Sequence, residues 1–439
     1  MRIRRIRINH HLYVRHHVRV RIRMKRSIRM RRPLAALAAA VALVLVTVGC
    51  GTGDPADPSR TGRAASLTVL DYYTDRTEHA HWGELLADCG RRAGVTIEHR
   101  SVPAPSLVPT VLRQAAARTM PDLLMLDNPD LQQIARSGVL APLRPYGVRT
   151  DGFGPGILSA GTYRGEVYGL APTVNTLALY YNKDMLAEAG VAVPRTWDEL
   201  RKAALATTRP GRHGLAVDAD PSFESTFQFL PFLWSNGGDE RRLDTPQAAE
   251  ALRLWSDLVR DGAMSRSVLT WNQADVHEQF LGGDAAMMVN GPWRMTELEK
   301  AKDLRWGVAP LPVPRAGAEL VTPLGGEVWT VPRGDSEARM RKAAEVLACL
   351  NEPANQQTLA TWHHTVPSRT DAADRYAKQV PAMAAFVESV RGARARTQRL
   401  GPGWPKAATA IHTAVQAAVS GQQTPEEAFR RAQRMATDS

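Results

Sequence analysis

At 439 residues the chain is longer than one compact domain usually holds, so more than one core is expected. Its net charge of +12 is confined to the N-terminus: residues 1–33 carry 13 of the 56 Lys and Arg and no acid, which leaves 43 bases against 44 acids beyond them. A near-neutral body offers no electrostatic footprint for nucleic acid, and no nucleic-acid partner is expected.

The basic leader runs into an apolar stretch, Leu34 to Val48. A membrane-spanning helix needs roughly 20 apolar residues, so this shorter run suits the hydrophobic region of a signal peptide. It ends in Val46-Thr47-Val48-Gly49-Cys50. Small residues before a cysteine resemble a bacterial lipobox, with Thr47 standing where Leu is usual. That resemblance implies a signal peptide over 1–49 and lipidation at Cys50. The alternative, a buried cysteine ending a core helix, fits poorly with "GTGDPADPSRTGR", which reads as part of a flexible tether over 50–66. Two acyl chains suffice to hold a protein at the outer membrane face. A leader of this length is unusual, whereas "MKRSIRMRRPLAALAAA" is ordinary, so translation is expected to start at Met24 or Met30. Arg31-Arg32 is a twin-arginine pair, but Pro33 and Leu34 depart from that pattern, and the export route stays open.

Beyond the tether, "SLTVLDYY" reads as a buried strand entering a polar turn. "HWGELLADCGRRAG" places Trp82, Leu85, Leu86 and Cys89 on one helical face and stops at Gly94. "VTIEHR" is a second strand, "SLVPTVLRQAAAR" a helix containing Pro109, and "PDLLMLD" a third strand followed by "LQQIARSGVL". This alternation predicts an α/β fold with a mainly parallel sheet, resuming at "LALYY" after Pro172. Thr196-Trp197-Asp198-Glu199 and Thr424-Pro425-Glu426-Glu427 have capping-box spacing, and Thr245-Pro246 opens another helix. Cys89 and Cys349 both lie in apolar helical patterns. Two separate buried thiols are expected, with a disulfide as the alternative that export permits.

Motifs for catalysis are missing: the chain has no HExxH, GxSxG, GxxxxGK, GxGxxG or CxxC. His79-Ala80-His81 and His363-His364 invite a metal reading, but spacing suggests no converging third or fourth ligand, so no metal and no cofactor are expected.

Six segments in one order carry a family resemblance. "GLAPTVNTLALYYNKDMLAEAGVAVPRTWDEL" (169–200) resembles the signature of the family 1 extracellular solute-binding proteins of bacterial ABC importers, which are maltose-binding-protein-like. "GDAAMMVNGPWRM" (283–295), then "WGVAPLPVPRAG" and "PLGGEVWTVPRG", then "TVPSRTDA" and "TPEEAFRRAQRMA", are similar to later segments of the family. The resemblance implies a type II-like periplasmic-binding-protein fold. Two α/β lobes joined by hinge crossovers close on a ligand cleft. Lobe one is expected over 67–175 and 322–372, lobe two over 176–321 and 373–439.

On this resemblance the ligand-binding residues are Tyr72, Tyr73, Asp75, Asp127, Asn128, Asn175, Glu224, Ser225, Phe227, Trp293, Arg294, Gly326, Glu327 and Trp329, and there are no catalytic residues. Core packing competes for Tyr73, Phe227 and Trp329, and helix capping for Asp75 and Asp127. Trp82, Trp197 and Trp255 read as core. Aromatic planes beside Asp, Asn and Glu suit a sugar, with apolar faces and many hydroxyls. The expected protein is a monomeric, lipid-anchored receptor that hands an oligosaccharide or similar polyhydroxy solute to ABC permease subunits. Three alternatives stay open. They are a binding protein for a glycerol phosphodiester, using Arg294, Arg394 or Arg396; a cell-wall carbohydrate hydrolase; and a sensor lipoprotein for a membrane kinase.

Overall fold

The computed structural model describes residues 65–437. The signal peptide, Cys50 and almost all of the tether lie outside the described residues; Ala65 and Ser66, placed in the tether by sequence, begin the first strand.

Strand β1 (Ala65–Asp71) leads through a short turn to helix α1 (Arg76–Arg92). Asp75 fixes the start of α1 by accepting hydrogen bonds from the Thr77 and Glu78 amides. The helix buries Trp82, Leu85, Leu86 and Cys89, the stripe its spacing predicts. Gly94 (φ 73°) turns the chain into β2 (Val95–Ser101), which pairs with β1 in parallel along its whole length. Helix α2 (Ala104–Ala117), with Pro109 in its interior, returns the chain to β3 (Leu123–Asp127), parallel to β1 on its other side.

The chain then enters a second sheet through β4 (Ala178–Asn182). Helix α3 (Phe223–Ser235) is buried along most of its length. Strands β5 (Met287–Asn290) and β6 (Trp306–Ala309) flank β4, both antiparallel to it, and between them lies the short helix α4 (Met295–Lys300). This three-stranded sheet is wholly antiparallel, unlike the mainly parallel arrangement read from the first third of the sequence. Helices Trp197–Thr207 and Pro246–Arg260 start at the caps expected for Thr196 and Thr245.

Strand β7 (Glu327–Pro332) completes the first sheet, antiparallel to β3, in the order β2-β1-β3-β7 and then Leu140–Ala141. Helix α5 (Glu337–Leu350) packs beside α1, and α6 (Pro353–His363) follows. Two buried clusters result. One centres on the first sheet and contains Leu67, Leu124, Trp329 and Leu347. The other contains Phe229, Trp255, Ile411 and Phe429. The second gathers α3 with α7 (Trp404–Val419) and the C-terminal helix Pro425–Thr437, where Thr424 and Glu427 cap reciprocally.

The cysteines correct the expectation of two free thiols. Cys89 and Cys349 form a disulfide with Cα atoms 5.7 Å apart. Each faces the core from its own helix, and the packing of α1 on α5 brings those faces together, a long-range contact that neither helical pattern encodes. The bridge closes 260 residues of sequence and constrains the unfolded chain accordingly.

Short strands pair beside the crossovers. Thr173–Val174 pairs with Val366–Pro367, and Pro323–Leu324 pairs with Arg394–Ala395. Asn175 and Gly325 form an antiparallel bridge between the two chain passages. A Cβ at Gly325 would lie 2.0 Å from the Asn175 side-chain oxygen, so the close approach requires glycine there.

A candidate ligand cleft between the two lobes

The crossovers form the floor of a cleft of about 730 Å³. Its first wall comes from the β1–α1 turn and the start of β7. Tyr72 and Tyr73 leave β1 and converge on Glu327. The Tyr72 hydroxyl donates to Glu327 Oε1, and the Tyr73 hydroxyl donates to Oε2 at 2.8 Å. Burial pushes the Glu327 carboxyl above the usual range; the two tyrosine hydroxyls oppose that shift. Burial, and then the Glu327 charge, raise both phenols well above their ordinary value. Tyr73 stacks on Trp82 at 5.3 Å between ring centroids, so the polar cluster rests on the first core.

At the floor, Arg396 donates to Asp127 at 2.7 Å and lies 5.0 Å from the Phe227 ring centroid. One side chain thereby touches elements of both lobes. The second wall is built on α3 and the β5–α4 turn. Strand β5 ends at Asn290, whose buried amide donates to the Gln273 carbonyl at 2.9 Å. Pro292 follows at the first position of a 3-10 turn leading into α4, where its missing N–H leaves no bond unmade. The Trp293 ring lies over Gly291, where a Cβ would stand 2.0 Å from it. Trp293 is therefore partly packed on the second core while its remaining surface lines the cleft. Glu224, in the first turn of α3, and Arg294 complete this wall. Burial, then Asp220, raise the Glu224 carboxyl, while Arg294 opposes the shift. Glu78, across the cleft, is raised by burial and by Asp75, again against Arg294.

Tyr72, Tyr73, Asp75, Asp127, Asn175, Glu224, Phe227, Trp293, Arg294, Gly326 and Glu327 thus line the cleft. Three expected residues do not. Trp329 is fully buried, 5.1 Å from Trp82 between centroids. It lies two residues along β7 from Glu327, and a strand rises about 3.3 Å per residue, so it sits deeper along the strand, in the core beside Trp82. Ser225 is fully buried, and its hydroxyl bonds back to the Ser222 carbonyl. It is rotated about 100° around the helix from Glu224. Asn128 is buried and donates to the Leu324 and Gly326 carbonyls, so it supports the crossover. Asp75 has both roles weighed for it, capping α1 and lining the cleft.

Arg396, one of the three arginines weighed for a phosphodiester, also lines the cleft, whereas Trp362 and His363 were not anticipated there. His81 stacks on Trp362 at 4.5 Å. Burial and then the neighbouring His81 lower His363 to about 4. His364, just beyond α6, bridges to α4: its Nε2 lies 3.2 Å from Glu299 and its Nδ1 3.3 Å from the Thr296 hydroxyl. Among the described residues no helix is long and apolar enough to cross a membrane.

Comparison with known proteins agrees with this architecture. A model of the bacterial extracellular solute-binding protein matches residues 84–388. A protein of Brucella abortus, described only as a binding protein, is 28% identical over 239 residues, covering 51% of this chain and 57% of that protein. The matched region thus spans little more than half the length of this curated relative. The maltooligosaccharide ABC transporter solute-binding lipoprotein of Streptococcus pneumoniae is 22% identical over 358 residues, 77% of this chain and 81% of that one. The cyclic α-maltosyl-1,6-maltose binding protein of Arthrobacter globiformis superposes with a TM-score of 0.74 at 24% identity, over 85% of this chain and 98% of its own. At that identity the likeness speaks for the fold alone. With the family model covering well over half of its length, the chain belongs to the bacterial extracellular solute-binding proteins.

Proposed function

We propose that this chain captures a carbohydrate, an oligosaccharide or similar polyhydroxy solute, and delivers it to the permease subunits of an ABC importer without altering it. One observation carries the reading: a cleft between two lobes in which aromatic planes alternate with carboxylates. Tyr72, Tyr73, Trp293 and Trp362 offer flat faces for sugar C–H groups, and the carboxylates accept from hydroxyls. The binding and transport functions named for the relatives support the same reading.

The electrostatics weigh against a phosphodiester ligand. Arg394 is engaged by Glu240 at 2.9 Å and stacks over Trp234, away from the cleft. Arg396 is paired with Asp127. Arg294 and Lys300 line the opening among six carboxylates, Asp75, Glu78, Asp127, Glu224, Glu297 and Glu327. We assign the lobes as 67–175 with 322–372 and 176–321 with 373–439, with one adjustment. The helix Thr370–Gln379 packs on α6, where the Tyr376 hydroxyl donates to the Ala360 carbonyl at 2.7 Å, which moves the last crossing beyond Gln379. The protein acts as a monomer tethered through lipidated Cys50, with the lobes exposed outside the cell.

The test is a thermal-shift screen against a carbohydrate panel, paired with a turnover assay on each hit. A ligand that binds only the folded state raises the melting temperature by linkage. Stabilisation by at least one neutral oligosaccharide with no turnover is expected. Stabilisation only by glycerol phosphodiesters, or hydrolysis of a hit, would replace the reading. Cys50→Ser should release the protein from membranes without lowering its melting temperature.

A further inference from the structure

A second polar cluster lies behind the first wall, outside the cleft lining. Asp71, the last residue of β1, is fully buried. Among the described ion pairs its one partner is His99 of β2, whose Nε2 is 2.6 Å from Asp71 Oδ2. His79, in the first turn of α1, stacks on His99 with ring centroids 4.3 Å apart and planes 9° from parallel. Its Nδ1 is 2.8 Å from the Ser101 hydroxyl, which donates to the other Asp71 oxygen. One ligand atom from each of Asp71, His79 and His99 lies within 4.8 Å of the others. The sequence spacing of His79 and His81 hid this arrangement, because the additional ligands come from the ends of two neighbouring strands.

A buried carboxylate needs a compensating positive charge. Two imidazoles can supply it by holding a proton or by coordinating a cation. We propose that Asp71, His79 and His99 form a site for a divalent transition metal of the zinc class, with the Ser101 hydroxyl or a water completing four-coordination. Two imidazole nitrogens and one carboxylate oxygen suit zinc and exclude calcium or magnesium as preferred occupants, since those ions take all-oxygen shells. Ligand atoms about 2.0–2.2 Å from a tetrahedral ion stand roughly 3.3 Å apart. The Asp71–His99 pair must therefore open from 2.6 Å, and the His79 ring must turn out of its stack on His99, because an ion held by both imidazoles lies in both ring planes. The His99 side chain is only 8% exposed, so an ion enters past His79, which is partly accessible.

The site would act on the cleft through one hydrogen bond. Asp71 Oδ1 also accepts from the Tyr73 amide at 3.1 Å, and Tyr73 holds Glu327. Metal at Asp71 would fix the turn that carries both cleft tyrosines.

The test is a competition titration of the chelator-stripped full chain with zinc against a chromogenic chelator, beside His79→Ala, His99→Gln and a His363→Ala control. The site predicts one zinc equivalent that the wild type and the control share and that each of the first two variants loses, with an affinity drop of at least about tenfold. Zinc should also raise the melting temperature of the wild type more than that of His79→Ala. His79 sits partly exposed on the first helical turn, so its truncation leaves the core intact and the comparison readable. Equal stoichiometry and affinity in wild type, His79→Ala and His99→Gln would overturn the site. So would crystals soaked in zinc that showed no anomalous peak between these residues.

Discussion

The two walls of the cleft differ in what their polar groups are doing. On the first wall most hold one another: both oxygens of Glu327 are taken by tyrosine hydroxyls and nearby Asp127 is taken by Arg396, while the Glu78 carboxylate has no hydrogen bond or ion pair among the described residues. On the second wall the Glu224 carboxylate and the Arg294 guanidinium have no hydrogen bond or ion pair among the described residues, and Arg294 Nε is buried without a partner. The first wall is assembled before ligand arrives, resting on the disulfide-linked core. The second carries groups whose partners are missing. In a clamp that arrangement gives one wall that shapes the ligand and one that gains bonds when the lobes close.

The widest separation between cleft and core lies along the first wall. Trp329→Ala should cost about 3–5 kcal/mol, because it empties a fully buried site between Trp82 and the sheet. Denaturant melts would show a lower midpoint. A loss under about 1 kcal/mol would mean that the residue is not the core element described.

A pH experiment reads the first wall next. His363 is lowered to about 4, chiefly by burial, so the folded state keeps it neutral while the unfolded chain takes up a proton below about 6.5. The stability it provides is complete above pH 6.5 and is lost as pH falls toward 4. The loss is about 2 kcal/mol by pH 5. His363→Gln should therefore narrow its stability gap with the wild type between pH 7.5 and 5. Parallel pH profiles for the two proteins would rule this out.

Sequence patterns reached much of this architecture, and their failures have physical causes. Local signals located the caps at Thr196, Thr245 and Thr424, because a threonine hydroxyl satisfies the amide three residues on anywhere, with an acid at that position after Thr196 and Thr424 and a proline opening the helix after Thr245. The turns after β1 and β5 put Tyr72, Tyr73 and Trp293 at the cleft because side chains at strand ends face it. Trp362 and His363 were missed because the pairing of Val366 with Val174 brings α6 to the rim, and that register is nonlocal. Trp329 was misassigned because a segment resemblance does not tell how deep each of its residues lies. The disulfide and the Asp71 cluster were equally out of reach: each joins elements whose adjacency only the packed sheet decides.

The contact between the walls at the cleft mouth gives a smaller effect. His364 reaches Thr296 and Glu299 from the opposite lobe. An exposed pair of this kind contributes about 0.2–1 kcal/mol. His364→Ala should loosen ligand binding by no more than about fivefold, mainly through faster release, in a surface-resonance measurement. A loss beyond about fiftyfold would make it a ligand contact rather than a clasp.

The claim that the second wall receives the ligand rests most heavily on Trp293. The direct measurement is a calorimetric titration of the best oligosaccharide from the panel into wild type and Trp293→Ala, with the apo melting temperature of each. Lost stacking of about 0.5–1.5 kcal/mol, added to lost burial, predicts affinity at least about tenfold weaker and an apo melting temperature nearly unchanged. Unchanged affinity, or a large fall in apo stability, would show that Trp293 serves the second core and not the ligand.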